Sequence, residues 1–172
     1  MLFVGRMVDY KNPFMVIEVL RHLLKSDDNF CAVFAGTGQL ENEVRELARK
    51  NALEKRVRVL GFRDDVASLM AAADVLLWPS LEEPKEGLGL GIVEAQAAGL
   101  PIVMSRSVPD EAIVIQELSA VVHLADGPVA WAQSVLEVLN RPRPSRAECL
   151  ARVEASSFSM QAGVSNIVAL YN

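Results

Sequence analysis

The chain has 172 residues, 51% of them hydrophobic and 23% charged, a globular composition long enough to bury one substantial core. No apolar run approaches the ~20 residues of a membrane span, and the opening MLFVGRMVDYKNP lacks the basic start, long apolar run and small-residue cleavage site of a signal peptide. The net charge of -5, without basic stripes or interleaved aromatics, argues against nucleic acid as the main partner, and two widely separated cysteines, Cys31 and Cys149, suit a reducing cytosol better than a disulfide scaffold.

Short apolar runs alternate with helical patterns about a dozen residues long. MLFVG (1–5) reads as a strand, so the chain opens inside an element and is expected to be one domain of a longer protein. NPFMVIEVLRHLLKS (12–26) reads as a helix capped by Asn12, with Pro13 at the first position, where its missing N–H does no harm. NFCAVFAG (29–36) is a second strand with Cys31 expected as a small core hydrophobe; Gly36–Thr37–Gly38 turns it into the helix QLENEVRELARKNA (39–52). RVRVLG (56–61) is a third strand, followed by the helix DDVASLMAAA (64–73) with Asp64 or Asp65 as cap. DVLLWPS (74–80) is a fourth strand, leading through a glycine- and glutamate-rich stretch into the helix GIVEAQAAG (91–99). PIVMS (101–105), a shorter helix over PDEAIVIQEL (109–118), the strand AVVHLA (120–125) and the helix PVAWAQSVLEVLN (128–140) follow. After the joint RPRPSR, AECLARVEASS (147–157) and MQAGVSNIVALY (160–171) close the chain as helices.

Continuously apolar strands separated by helices predict an α/β, Rossmann-like three-layer domain with a six-stranded parallel sheet covered on both faces. Residues 1–140 are expected to form a ligand-binding unit and 141–172 the terminal helices of the same domain. Ligands of open parallel sheets sit at the carboxyl ends of the strands. Gly5, Gly36, Gly38, Gly61 and the run Gly87–Gly91 all follow such ends, so they are expected to converge on one crevice.

The stretch PSLEEPKEGLGLGIVEAQAAGLPIV (79–103) carries the most chemistry. Gly87, Gly89 and Gly91 let a ligand approach the backbone closely, and a helix starting near Leu88–Leu90 favours an anion at its amino end. Glu86 and Glu94 flank that start, where carboxylates would repel a phosphate unless they reach past it. A carboxylate can accept two hydrogen bonds from a vicinal diol. A nucleotide sugar satisfies both demands, with ribose on one glutamate, a hexose on the other and a diphosphate between them.

Glu86 and Glu94 in this setting resemble the E-x7-E signature of retaining glycosyltransferases of the GT-B fold, the family-4 group above all. FVGRMVDYKNP is similar to that family's G-R-x4-K opening, FAGTGQLENEVRELA to its G-x-G turn, VRVLGFRDDVASLMAAADVLLWPS to its third and fourth strands, and FSMQAGVSNIVALY to its closing helix. The resemblance covers nearly the whole chain. It implies the carboxy-terminal, donor-binding half of a GT-B enzyme, with the amino-terminal acceptor domain absent and this half inactive alone. Implied catalytic positions are Arg6 and Lys11, neutralising the donor diphosphate, and Glu86, holding donor-sugar hydroxyls. Implied donor contacts are Gly5, Gly36 and Gly38 on the phosphate side, Phe62 and Arg63 at the base edge, Gly87, Leu88, Gly89 and Leu90 through their amides, and Glu94 at the ribose. No cofactor or metal is implied; the substrate is a UDP- or GDP-type sugar, passed to an acceptor glycan or lipid-linked sugar in polysaccharide, lipopolysaccharide or glycolipid assembly. The implied location is cytoplasmic, with peripheral association at the inner face of the membrane through the absent domain. Leu88 stands where the family usually has an aromatic residue, and Met160 where it has tryptophan; both are apolar exchanges.

Plainer readings stand beside these. Two acids near a helix start favour its dipole without any ligand, and Arg6 and Lys11 could be ordinary surface charge. Glu82, Glu83 and Lys85 read as loop charges, Trp78 and Trp131 as core or domain-edge aromatics, His22 as an exposed helix residue and His123 as a strand-end one. A Rossmann oxidoreductase would need G-x-G-x-x-G after the first strand, where VGRMVD has one glycine. A phosphorylase would need a cofactor-bearing lysine, for which no segment is found. An epimerase-like GT-B enzyme or a non-catalytic nucleotide-binding module remain as alternatives.

Overall fold

Fully buried strands must alternate their apolar side chains between two covered faces, and the short strands here do so residue by residue. In the computed structural model, which describes residues 1–83 and 86–171, the strands are β1 (Leu2–Val4), β2 (Ala32–Ala35), β3 (Val57–Val59), β4 (Leu76–Trp78), β5 (Ile102–Met104) and β6 (Ser119–Val121). The helices are α1 (Pro13–Leu23), α2 (Glu41–Lys50), α3 (Val66–Ala72), α4 (Leu90–Ala97), α5 (Gly127–Asn140), α6 (Arg146–Glu154) and α7 (Met160–Leu170). All six strands are parallel in the order β3-β2-β1-β4-β5-β6. Leu2 is in register with Val33 on one side and Leu76 on the other, and Leu76 with Ile102. The expected six-stranded Rossmann-like sheet is found, and its order reverses between β1 and β4.

Phe3, Phe34, Leu77 and Val103 point to one face, where they join Val16, Ile17, Leu20 and Trp131 from α1 and α5. Their neighbours Leu2, Leu76, Ile102 and Met104 point to the other, joining Met70 of α3 and Ile92 of α4. A third cluster of Val93, Ile115, Leu118, Cys149 and Val153 seals α6 against α4. Ser145 and Glu148 form a reciprocal capping box that starts α6 directly after the proline-rich joint. On α7, Met160, Val164 and Ile167 stand exposed, as does Tyr171 just after it. Among the described residues, no helix is long and apolar enough to cross a membrane.

Several local expectations are corrected. Residues 109–118 form no α-helix but two short 3-10 turns, Asp110–Ala112 and Gln116–Leu118. The cause is Gln96, fully buried on α4: its amide donates to the carbonyl of Ala112 (2.7 Å) and its oxygen accepts from the N–H groups of Val114 (2.8 Å) and Ile115 (2.7 Å). These bonds hold the β-branched run Ile113–Ile115 out of a helix, with Ile113 and Ile115 extended around a bend at Val114. Asp65 precedes α3 without capping it, because its carboxylate is taken by Arg63. Asn12 precedes α1 in the left-handed region (φ 49°) and also makes no side-chain cap bond. Cys31 is exposed, since β2 begins only at Ala32 and leaves Cys31 at its open end. The last strand is shorter than AVVHLA and starts one residue earlier, at Ser119.

Candidate functional site

Where the strand order of a parallel sheet reverses, the loops leaving two neighbouring strands run to opposite sides and open a crevice between them. Here these are the loop from Gly5 to Asn12 after β1 and the loop that runs from Pro79 to Gly89 after β4. A backbone bond from the Leu81 N–H to the Tyr10 carbonyl (2.7 Å) ties the two across the gap. Lys11 lies in a 3-10 turn, Asp9–Lys11, that aims its side chain at the β4 loop. Its ammonium forms an ion pair with Glu86 Oε1, and the two side chains keep only 12% and 11% of their surface. The same carboxylate oxygen accepts from the Ser80 hydroxyl at 2.5 Å, and the Glu86 N–H donates to the Ser107 carbonyl at 3.1 Å. Glu86 is therefore fixed by strands β4 and β5, and Lys11 by β1.

Aromatic faces complete this centre. The Lys11 ammonium lies 4.6 Å from the Trp78 ring centroid and 5.4 Å from that of Tyr10. Arg6 stands exposed beside Tyr10, its guanidinium 5.6 Å from the ring centroid and donating to the phenol oxygen at 2.5 Å. Arg6, Lys11 and Glu86, predicted from widely separated segments, are thus brought together. Ser80, Tyr10, Trp78 and Ser107 were not predicted as site residues. Tyr10 could have been found, four residues after Arg6 and next to Lys11; the others act only through the fold.

The glycines divide by cause. A Cβ on Gly36 would lie 2.0 Å from the Gly5 carbonyl oxygen, and one on Gly38 would lie 2.2 Å from that of Met7. Bonds from Gly5 N–H to Ala35 (3.0 Å), Met7 N–H to Thr37 (2.9 Å) and Gly36 N–H to Gly61 (2.7 Å) continue the ladder beyond the strand ends. The G-T-G turn is thus explained by loop-on-loop packing, with no ligand needed. Gly89 caps α4 with φ 67°, a conformation that favours glycine, while a Cβ on Gly91 would meet the Trp78 ring at 2.9 Å. Gly87 is exposed with open space around it.

Other predicted positions lie further out. Leu88 and Leu90 are exposed at the start of α4, and Glu94 is exposed within it. Phe62 is 80% exposed in the loop after β3. Arg63 beside it is held by a two-pronged pair with Asp65 (2.7 and 2.6 Å), which raises the guanidinium's pKa and lowers that of the carboxylate. Glu82 is more than a loop charge: its Oε1 lies 3.4 Å from His123 Nδ1 and 3.5 Å from the Leu124 N–H. Glu83 is exposed, and Lys85 lies outside the described residues. A cavity of about 720 Å³ opens here, with Glu82, Glu83, Arg106, Asp110 and Glu111 on its wall.

Such a centre, two cations and a glutamate at a switch point, handles phosphorylated ligands in many folds; the comparisons narrow it. Residues 1–141 match the family model described as glycosyl transferases group 1. The chain belongs to this family. One relative is EpsF of Bacillus subtilis, 30% identical over 169 residues, covering 98% of this chain and 43% of that protein. An Escherichia coli UDP-Gal:alpha-D-GlcNAc-diphosphoundecaprenol alpha-1,3-galactosyltransferase is 34% identical over 106 residues, 60% of this chain and 27% of that enzyme. Among solved structures, Anabaena HepE in complex with UDP superposes with a TM-score of 0.81 at 20% identity, over 99% of this chain and 47% of that one. The chain spans less than half the length of the relatives it matches. The glycosyltransferase family and the Rossmann-like half of a GT-B fold, both expected from the motifs, are found.

Proposed function

We infer that this chain is the donor-binding domain of a retaining group 1 glycosyltransferase, which moves a hexose from a UDP- or GDP-type sugar to an acceptor hydroxyl. The observation that carries the reading is the convergence of Arg6, Lys11 and Glu86 on the β1–β4 crevice, beside the glycine-bearing start of α4. Arg6 and Lys11 supply two cations for a diphosphate, and their charge stabilises the leaving nucleotide as the glycosidic bond breaks. Glu86, once released by Lys11, accepts hydrogen bonds from donor-sugar hydroxyls. Glu94, exposed and one turn into α4, reaches the ribose, while the amides of Gly87–Leu90 meet sugar and phosphate and Phe62–Arg63 border the base. Gly5, Gly36 and Gly38 bring the first two loops together under the phosphate side. No cofactor is required in this reading, because charge neutralisation is left to side chains.

UDP in the crystal structure of HepE supports a uridine diphosphate donor. The acceptor named for the Escherichia coli relative supports a lipid-linked sugar and hence glycan assembly at the inner face of the membrane. The acceptor-binding half then belongs to the part of the relatives' length that this chain does not span.

An NMR titration of the isotope-labelled chain with UDP, GDP, ADP and their sugar conjugates tests the reading. Shifts confined to Gly5–Lys11, Gly61–Arg63 and Glu86–Glu94 with one base are expected, at an affinity of about millimolar for half a site. In the full-length enzyme, Glu86→Ala abolishes transfer while the domain stays folded. Normal turnover by that variant would refute the assignment.

A further inference from the structure

Lys11 holds an unusual position for a cation meant to serve a phosphate. Its ammonium is largely dehydrated and already bonded to Glu86. The remaining neighbours that stabilise its charge are ring faces, Trp78 at 4.6 Å and Tyr10 at 5.4 Å. The pair with Glu86 is lost once the ammonium moves out of hydrogen-bond reach. A cation over a ring face is still attracted out to about 6 Å from the centroid, so that attraction tolerates a larger displacement. If a diphosphate is to take Lys11 from Glu86, the rings can keep the cation partly compensated through the exchange.

Trp78 itself is built for its face and not for its N–H. The residue is 7% exposed, and among the described residues its indole nitrogen has no hydrogen-bond partner. Buried tryptophans usually find such a partner, so a phenylalanine would fill this position without the penalty of an orphaned donor. Indole, however, offers a cation the strongest of the aromatic faces. The ring is held in place by the start of α4: the far edge of the indole lies where a Cβ on Gly91 would come within 2.9 Å, and Gly89 abuts it as well. One of the alternating glycines therefore makes room for the ring on which Lys11 rests.

We propose that Trp78 is a positioning residue, holding the Lys11 ammonium against its ring face so that Lys11 can pass from Glu86 to the donor's diphosphate. This rests on the donor-site reading above. It predicts that affinity for a nucleoside diphosphate follows the ring and not the stability of the fold. Packing alone would move nucleoside and diphosphate affinity together; ring electrostatics lowers diphosphate affinity selectively, in the order tryptophan above phenylalanine above leucine.

The test is calorimetric titration of the full-length protein, wild type, Trp78→Phe and Trp78→Leu, with UDP and uridine, GDP and guanosine, ADP and adenosine, alongside thermal melts. The wild type is expected to prefer the diphosphate in one pair. Trp78→Leu should lower that diphosphate affinity about tenfold and Trp78→Phe about threefold, with nucleoside affinity moved by less than about twofold. Trp78→Phe keeps an aromatic side chain in the core and is the milder change, so it keeps the test decisive if the leucine variant fails to fold. Diphosphate affinity that is unchanged in Trp78→Phe, or equal losses for nucleoside and diphosphate, overturns the role of Trp78 and leaves the donor site standing. A wild type without any preference for diphosphate over nucleoside overturns the donor site and this inference together.

Discussion

Separating Lys11 from Glu86 is the perturbation whose energy can be worked from the structure. Unit charges about 4 Å apart at an effective dielectric near 20 attract by about 4 kcal/mol, and dehydration of both groups offsets much of that attraction. Removing one partner is different, because it strands the other charge; in fully buried pairs the loss is about 3–5 kcal/mol. Here each side chain keeps about a tenth of its surface, 12% and 11%. Trp78 and Tyr10 still hold the ammonium when Glu86 is gone, so Glu86→Gln is expected to destabilise the domain by about 2 kcal/mol. Lys11→Met should lose a similar amount, since among the described residues it leaves the carboxylate only the Ser80 hydroxyl. The double variant should recover at least about 1 kcal/mol relative to the sum. Urea unfolding with an unchanged slope measures all three, and each single variant should melt about 4–8 °C lower. A coupling energy under about 0.5 kcal/mol would refute the view that this pair holds the two loops together across the crevice. The same coupling is the energy a donor must supply to open it.

Two further predictions concern the frame around the site. Gly38→Ala puts a Cβ 2.2 Å from the Met7 carbonyl oxygen; backbone lies on both sides, so the β1 and β2 loops must separate, at about 3 kcal/mol or more. A loss under about 1 kcal/mol by urea unfolding would contradict the packing explanation of the G-T-G turn. Gln96→Leu is nearly isosteric but leaves the N–H groups of Val114 and Ile115 and the Ala112 carbonyl without their partner. The expected loss is about 2–4 kcal/mol, with faster hydrogen exchange at Val114 and Ile115; unchanged exchange at those amides would remove Gln96 as the cause of their non-helical conformation.

The six strands were legible because each is a short apolar run closed by glycine, proline or a polar turn, and burial on both faces leaves such runs little alternative. Order in the sheet was not: that β1 lies beside both β2 and β4 is decided by pairing between residues such as Leu2 and Leu76. The site divides the same way. Arg6, Lys11 and Glu86 announce themselves as charges just beyond apolar strands, whereas Ser80, Tyr10 and Trp78 gain their roles from a contact between segments 75 residues apart. The one helix predicted wrongly, over 109–118, failed for a related reason. Its residues suit a helix locally, but the side chain of Gln96 supplies hydrogen bonds from outside, and no local pattern carries that information.

The alternation of glycine with leucine after Glu86 reads at first as a single device for cradling an anion. Taken atom by atom it is three. Among the described residues a Cβ on Gly87 would meet nothing within 4 Å, which leaves the backbone open to the crevice; Gly89 takes the left-handed turn (φ 67°) that starts α4; Gly91 yields its side-chain space to Trp78. Only the first of these concerns a ligand directly. The third concerns it at one remove, because the ring it admits carries the cation that is paired with Glu86. A substitution at Gly91 would therefore be felt at Lys11, across the crevice and on another strand's loop, without any change in the charge of either acid or base. Gly91→Ala should accordingly lower diphosphate affinity in the same sense as Trp78→Phe. The Trp78→Phe/Gly91→Ala pair should be less harmful than the sum, since the smaller ring leaves room for the methyl group.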